Sequence, residues 1–196
     1  MIAYIDGKLT YKDPTYVIID VGGVGYQIKV SLNTYSSLPA GERCKLHTYL
    51  NIKEDAHTLY GFNTIAEKEL FLLLISISGV GPNTGLMILS SLSVEEVQQA
   101  IVREDVRTIQ HVKGIGAKTA QRIILELKDK VRKEVLLSEA GTPATAHNTN
   151  RAEALSALVT LGFAKNVAEK TLDSIIKREG SSLSVEELIK FALKSS

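Results

Sequence analysis

Two short segments that each place two glycines around one apolar residue are the part of this sequence best suited to bind an anion. They are Gly79-Val80-Gly81 and Gly114-Ile115-Gly116, and their first glycines lie 35 positions apart. Each segment stands between two stretches with a helical pattern. The first glycine permits a tight turn, and the second lets the backbone approach a phosphate closely. The helix that follows starts with unpaired amides and a partial positive charge, so each segment predicts a phosphate site.

The predicted sites are built mainly from main-chain groups. The apolar residue between the glycines, Val80 or Ile115, is expected to fill the space between the two helices. Binding of phosphate by main-chain amides does not require a large net positive charge on the protein, which agrees with the formal charge of +1. Because they carry no information about bases, this tandem helix-hairpin-helix pattern predicts DNA binding that is independent of sequence. Plain structural turns are the alternative, since glycine is common where two helices meet.

Basic side chains beside the second turn are predicted to add contacts with phosphate. Lys118 and Arg122 lie four residues apart on one helix face, where they provide charge-assisted hydrogen bonds. Lys113 stands directly before the glycine segment. His111 is either a phosphate contact or an ordinary surface histidine. Residues 107–133 carry eight basic and two acidic side chains, which is the strongest segregation of charge in the chain.

Catalytic and metal-binding motifs are not recognised in the sequence. A phosphate-binding loop before Lys118-Thr119 would need glycines where Val112 and Ala117 stand. The four histidines lack metal-ligand spacing, and the lone Cys44 excludes a disulfide framework or a cysteine-based metal site. We therefore expect no cofactor, no metal and no ATP hydrolysis, so this chain is predicted not to be an enzyme. Cys44 itself is expected to be a small buried apolar residue.

The location of the protein is predicted from what the sequence lacks. No apolar run is long enough to span a membrane, and the N-terminus has no basic-then-apolar layout of a signal peptide. We expect a cytoplasmic protein without a membrane partner.

The first 62 residues are predicted to form a small closed β-barrel. Short stretches rich in β-branched and aromatic residues alternate with glycine-rich turns, and no crossover helix intervenes. The turn Gly22–Gly25 does not fit a dinucleotide-binding loop, because Ile28 replaces the third glycine and a strand follows. A hairpin is predicted there instead. The predicted strands are MIAYIDG, KLTYK, TYVIIDV, YQIKV, RCKLHTYLNI and HTLYGF.

Helices are predicted for most of the chain after residue 63. Thr64 with Glu67, and Ser93 with Glu96, have the spacing of capping boxes at helix starts. A long helix is predicted from about residue 117 to about residue 135.

The end of the chain is predicted to be a separate helical unit. Residues 138–150 contain no apolar side chain larger than alanine and are predicted to be a flexible linker. Three short amphipathic helices are predicted after it. Between the first two, Phe163 either fills the core of this unit or contacts a partner, and Leu158 and Leu161 are expected to extend such a contact. The predicted domains are 1–63, 64–137 and 151–196, with the linker at 138–150.

The sequence resembles the RuvA family over nearly its whole length. The resemblance is carried by VGGVGYQI at 21–28, KEDAHTLYGF at 53–62, GVGP at 79–82, GIGAKTAQRIILELKDK at 114–130 and ALVTLGF at 157–163. It implies an α+β multi-domain fold with an oligonucleotide-binding (OB) barrel, a tandem helix-hairpin-helix domain and a three-helix domain like the ubiquitin-associated fold. It also implies a homotetramer that binds open four-way (Holliday) junctions and delivers DNA to the hexameric ATPase motor RuvB. A RuvC-type resolvase is a further candidate partner.

The resemblance also bears on individual residues. The family usually has lysine after the first GVGP, and proline before and lysine after the second GIG, whereas Asn83, Lys113 and Ala117 stand here. The first hairpin is therefore expected to hold phosphate more weakly, through a neutral hydrogen bond from Asn83, with Lys113 compensating in part. Glu54 and Asp55 match the family's acidic pin. They lie at a predicted hairpin tip, where a solvated turn is the alternative that the residues alone favour.

Two other functions use helix-hairpin-helix units. A DNA glycosylase would need a catalytic aspartate or lysine facing a base pocket, and release of bases from damaged DNA would identify it. A general duplex-binding adaptor would show no preference for junctions. A gel shift that compares a four-way junction with a duplex of equal length separates that adaptor from a junction-binding subunit.

Overall fold

The chain begins with a closed five-stranded barrel. The computed structural model describes residues 2–39, 42–139, 146–180 and 183–194. The strands are β1 (Tyr4–Lys12), β2 (Tyr16–Val21), β3 (Val24–Val30), β4 (Arg43–Ile52) and β5 (His57–Phe62). Their order around the barrel is β1-β2-β3-β5-β4, with β4 closing on β1 and only β3 and β5 running parallel. This Greek-key arrangement confirms the prediction of an OB-type barrel.

Two glycine-containing stretches of the barrel differ in what they do. MIAYIDG and KLTYK were predicted as two separate strands, but Gly7, at the end of the first, lies inside the single strand β1. A Cβ added there would be 2.2 Å from the carbonyl oxygen of Asp20 on β2, so glycine is needed where two strands approach closely. Gly22 and Gly23, by contrast, have φ of 62° and 92° between β2 and β3. Positive φ at both positions is typical of a two-residue hairpin turn, so the predicted hairpin is confirmed.

Helices make up the described part of the chain outside the barrel strands and turns. The bounds are α1 (Leu32–Ser37), α2 (Ile65–Ile75), α3 (Pro82–Ser91), α4 (Val94–Val102), α5 (Val106–Gln110), α6 (Ala117–Glu139), α7 (Ala146–Thr160), α8 (Lys165–Glu179) and α9 (Val185–Lys194). The capping box of Ser93 and Glu96 is present at the start of α4. At α2 only half of the predicted box forms. The hydroxyl of Thr64 accepts from the amide of Glu67 at 3.1 Å, but the carboxylate of Glu67 turns to other partners.

Strand β5 of the barrel packs into the hydrophobic core of the helices that follow it, whereas the barrel interior is a separate cluster. Phe62 on β5 and Phe71 on α2 are fully buried, and their ring centroids lie 4.8 Å apart. Residues 1–136 accordingly form one compact unit. The predicted border between residues 63 and 64 therefore falls inside this unit.

Residues 137–196 form the second compact unit. Helices α7, α8 and α9 pack around a core that includes Leu158, Leu172 and Leu188. Because α6 continues to Glu139 and α7 begins at Ala146, helices extend into both ends of the predicted linker. Its middle, residues 140–145, lies outside the described residues, so the flexibility of the segment stays a prediction. No helix in the described ranges is long and apolar enough to cross a membrane.

Candidate nucleic-acid interface

The two glycine segments form turns with the same local geometry. Gly79 and Gly114 have φ of 92° and 87°, which glycine adopts without strain. In each turn the amide of the apolar residue donates to the carbonyl three residues earlier, at 3.0 Å for Val80 and 3.1 Å for Ile115. The repeat in the sequence is therefore also a repeat in backbone structure.

Val80 and Ile115 shape these turns and do not present a surface to DNA. Their side chains are only 5% and 6% exposed and pack in the core of the first unit, as the sequence predicted. Their amides are already used within the turns. Their inclusion among the predicted DNA-contacting residues is corrected, because neither the side chain nor the amide is available to phosphate.

The second glycine of each segment leaves an open main-chain surface. Gly81 is the N-cap of α3 and makes no side-chain cap, and Gly116 directly precedes α6. A Cβ built on either glycine meets no heavy atom within 4 Å. The amides of the first helical turn beside these glycines, including those of Asn83 and Lys118, have no hydrogen-bond partner within their own helices. An anion can approach both helix starts closely enough to accept these amides.

Side chains flank these open amides in both hairpins. Lys113 and Lys118 are exposed beside the second turn. At the first turn, the carboxamide oxygen of Asn83 accepts from the hydroxyl of Tyr60 at 3.2 Å. Burial raises the pKa of Tyr60, and electrostatic repulsion from the phenol of Tyr49 on ionisation raises it further. Because this contact uses the oxygen of Asn83, its amide nitrogen can serve as the expected neutral donor.

Arg122 connects the two hairpins. Its guanidinium donates to the carbonyl oxygen of Ser78, in the first turn, at 3.1 Å. It also lies 3.3 Å from Glu126 one helical turn further along α6. The side chain remains nearly half exposed, so a phosphate can still reach it. No sequence pattern indicates the link to Ser78, because the two residues are 44 positions apart.

The basic stretch of residues 107–133 is partly neutralised within the protein. Lys128 forms an ion pair with Glu104, and Arg122 lies beside Glu126. Surface pairs of this kind are weak, so both cations keep much of their attraction for phosphate. His111 is exposed at the C-terminal end of α5, which leaves both interpretations of it open.

Glu54 and Asp55 lie at the tip of the β4–β5 hairpin, as predicted from the sequence. Ile52 pairs with His57 across the hairpin, and the amide of Lys53 donates to the carbonyl of residue 56 at 2.9 Å. Both carboxylates are exposed, and neither has an ion pair or a hydrogen-bond partner among the described residues. Lys53 adds one positive charge, so the tip carries two unpaired negative charges beside a single cation.

The C-terminal unit corrects part of the predicted contact patch. Leu158 is fully buried in the core, so it offers no surface to a partner. Phe163 is half-buried against the same core, whereas Leu161 is 60% exposed. Sequence analysis missed Val159 and Val167, which are 43% and 52% exposed near the turn between α7 and α8. Each lies in a 15-residue helix, and the presence of a valine alone does not show which side of a helix faces water.

Metal-ligating side chains are not gathered in the described parts of the chain. No cluster of three or more His, Cys, Asp or Glu side chains that could hold a metal ion occurs there. Cys44 is buried, as predicted, and burial raises the pKa of its thiol.

Family models match all three parts of the chain. The model described as the RuvA N terminal domain matches residues 1–61. A SAM-like helix-hairpin-helix tandem matches residues 71–129, which include both glycine turns. The model of the RuvA C-terminal domain matches residues 149–196.

Curated relatives match the chain from end to end. A protein of Cytophaga hutchinsonii is 59% identical, and the alignment covers 100% of both chains. A protein of Christiangramia forsetii is 52% identical over 99% of each chain. One from Geotalea daltonii is 44% identical over 99% of this chain and 98% of its own. Each of these relatives is named Holliday junction branch migration complex subunit RuvA.

Proposed function

The chain belongs to the RuvA family, and from this premise we propose that it binds four-way DNA junctions without sequence preference and loads them onto the RuvB motor. The observation that carries the proposal is the pair of matching turns whose second glycines, Gly81 and Gly116, leave helix amides open. The protein would act in the cytoplasm as a non-catalytic subunit, and the motor would supply ATP hydrolysis.

Each hairpin would bind the backbone of one DNA strand through main-chain amides. Lys113 and Lys118 add charge at the second hairpin, and Asn83 adds a neutral donor at the first. Arg122, which donates to Ser78, links the two sites. Two sites held together in this way suit neighbouring phosphates on a duplex arm, and none of these groups reads a base.

A single copy can bind one arm, whereas a junction has four. We propose a homotetramer in which each copy binds one arm and the four hairpin tips with Glu54 and Asp55 meet at the centre. The open face of the junction would then be accessible to a RuvC-type resolvase. The test is a gel shift with a four-way junction and a duplex of equal length. Equal affinity for both would instead support a general duplex-binding adaptor.

Replacing Lys118 by glutamine is expected to reduce the salt dependence of DNA binding by about one counterion, because one exposed cation beside a phosphate is lost. Arg122→Gln is expected to reduce the salt dependence less, since Glu126 already offsets part of its charge. The measurement is the slope of log affinity against log salt concentration. Lys170→Gln, which removes an exposed cation from the second unit, is the matched control. A slope that is unchanged by Lys118→Gln would contradict the placement of a phosphate there.

The C-terminal unit is proposed to contact the motor. Exposed Leu161 and Val167 near the α7–α8 turn are the candidate contacts, with Phe163 supporting them from the core. A chain that ends at Ser138 is expected to bind junctions but to fail to stimulate the ATPase activity of RuvB. In the full chain, Leu161→Glu with Val167→Glu is expected to weaken stimulation about tenfold, as loss of a central apolar contact does. Full stimulation by the shortened chain would rule out this role.

A further inference from the structure

We propose that Glu67 is a positioning residue that fixes the barrel, and with it the acidic tip, relative to the two hairpins. Through this contact Glu67 would set the preference for junctions over duplex. The inference rests on the proposed function, because it assumes that the tip with Glu54 and Asp55 discriminates between these two kinds of DNA.

The carboxylate of Glu67 is buried and has several hydrogen-bond donors. Glu67 is 6% exposed, and Ser31 and Thr34 are 0% and 1% exposed. One carboxylate oxygen accepts from the hydroxyl of Ser31 at 2.6 Å. The other accepts from the hydroxyl of Thr34 at 2.6 Å and from the amide of Asn63 at 3.1 Å. A buried carboxylate is tolerated only with such donors, so these residues must keep their places together.

These contacts join two parts of the first unit. Ser31 is the N-cap of α1 and also accepts from the amide of Thr34 at 3.0 Å. Helix α1 lies between β3 and β4 of the barrel, whereas Glu67 lies in the first turn of α2, which leads into the first hairpin. One carboxylate therefore connects the barrel to the helix before Gly79.

A second set of polar contacts ties α1 to the helix after the same hairpin. The side-chain amide of Asn33 donates to the carbonyl oxygens of Leu89 and Leu92 at 2.7 and 3.1 Å. The amide of Leu32 donates to the hydroxyl of Ser90 at 3.1 Å. Helix α1 is thus bonded both to α2 and to the C-terminal end of α3.

The hydrogen bonds to Glu67 are directional, whereas the packing of the apolar core beside them is not. The packing of Phe62 on Phe71 supplies attraction that is not strongly directional. Hydrogen bonds to Glu67 require defined distances and angles, so they select one orientation of the barrel against the hairpins. Strand β4, which carries the tip, follows α1 in the chain. A change at Glu67 should therefore move the tip relative to the phosphate sites while leaving each hairpin intact.

The test is a double-mutant cycle in the full chain. Glu67→Gln keeps the size of the side chain but replaces one acceptor oxygen with an amide donor. It is expected to lower the ratio of junction to duplex affinity by about threefold or more, as coupled contacts do, through a rise in duplex affinity like the one expected when the tip is neutralised. In a chain that also carries Glu54→Gln and Asp55→Asn, Glu67→Gln is expected to have no further effect on this ratio. Glu187→Gln, which removes a carboxylate bonded to Ser184 in the second unit, is the matched control.

A second variant keeps the proposal testable if Glu67→Gln does not fold. Asn33 is exposed, and Asn33→Ala breaks the tie to α3 without touching the buried carboxylate. Asn33→Ala should lower the ratio of junction to duplex affinity in the parent protein. It should not do so in the tip-neutral chain, which carries Glu54→Gln and Asp55→Asn. Equal effects on the ratio in the parent and in the tip-neutral chain would overturn the role of Glu67, and so would no effect of either variant. Neither result would contradict the proposed role of the tip. If the tip-neutral chain itself keeps the parent's ratio, the proposed role of the tip fails, and this inference fails with it.

Discussion

Replacing Gly81 and Gly116 together by valine is expected to weaken binding of every DNA substrate, by about tenfold for each hairpin, while the protein stays folded. A hydrogen bond to a charged phosphate contributes about 1.5–3 kcal/mol, and about 1.4 kcal/mol corresponds to a tenfold change in affinity. A Cβ at either position meets nothing within 4 Å in the free protein. The valine side chains would therefore occupy the space that a phosphate needs.

Affinities for a junction and for several duplexes of unrelated sequence, measured by fluorescence anisotropy, test this expectation. Gly79→Ala and Gly114→Ala provide the contrasting pair, because φ of 92° and 87° is unfavourable for alanine. These two changes should lower the melting temperature, whereas the valine variants should leave it nearly unchanged. A loss of affinity for only one sequence would contradict binding through the main chain. A loss of affinity that only accompanies unfolding of the protein would contradict it as well.

The hairpins could be predicted from the sequence because their determinants are local. The first glycine of each segment is required by a positive φ, and the apolar residue next to it is required by the core. Both requirements concern residues that are adjacent in the chain. The hairpin at Gly22 and Gly23 was predictable for the same reason. The strand pairing of the barrel then followed from short β-branched stretches, although Gly7 hid the continuity of β1.

Contacts between distant residues could not be predicted in this way. Thr64 and Glu67 have the spacing of a capping box, but two buried hydroxyls on α1 compete for the carboxylate and obtain it. Arg122 has the spacing of a phosphate contact beside Lys118, yet it also bonds to Ser78 across 44 positions. A helical pattern shows which residues share a face. It does not show which distant group that face meets.

The proposed role of the acidic tip, which carries Glu54 and Asp55, requires several copies of the chain. Glu54 and Asp55 are exposed acids and have no partner among the described residues. If four tips meet at the centre of a tetramer, eight carboxylates and four Lys53 side chains gather there. Two like charges about 4 Å apart repel by about 1 kcal/mol in water and by more where water is displaced. Phosphates at the crossover would be pushed outwards along the four arms.

Neutralising the tip with Glu54→Gln and Asp55→Asn is therefore expected to raise the affinity for plain duplex and to shrink the ratio of junction to duplex affinity. Continuous duplex across the centre would no longer be repelled, while both hairpins would bind as before. Replacing both residues by lysine should shrink the ratio further and slow strand passage, because phosphates would be held at the centre. Gel shifts at several salt concentrations measure the ratio, and the mass of the complex shows whether the tetramer persists. Glu153→Gln with Glu186→Gln removes two exposed acids from the second unit and controls for net charge. If the neutral tip kept the parent's ratio at every salt concentration, the tip would be a solvated turn and junction preference would have to come from the arrangement of hairpins alone.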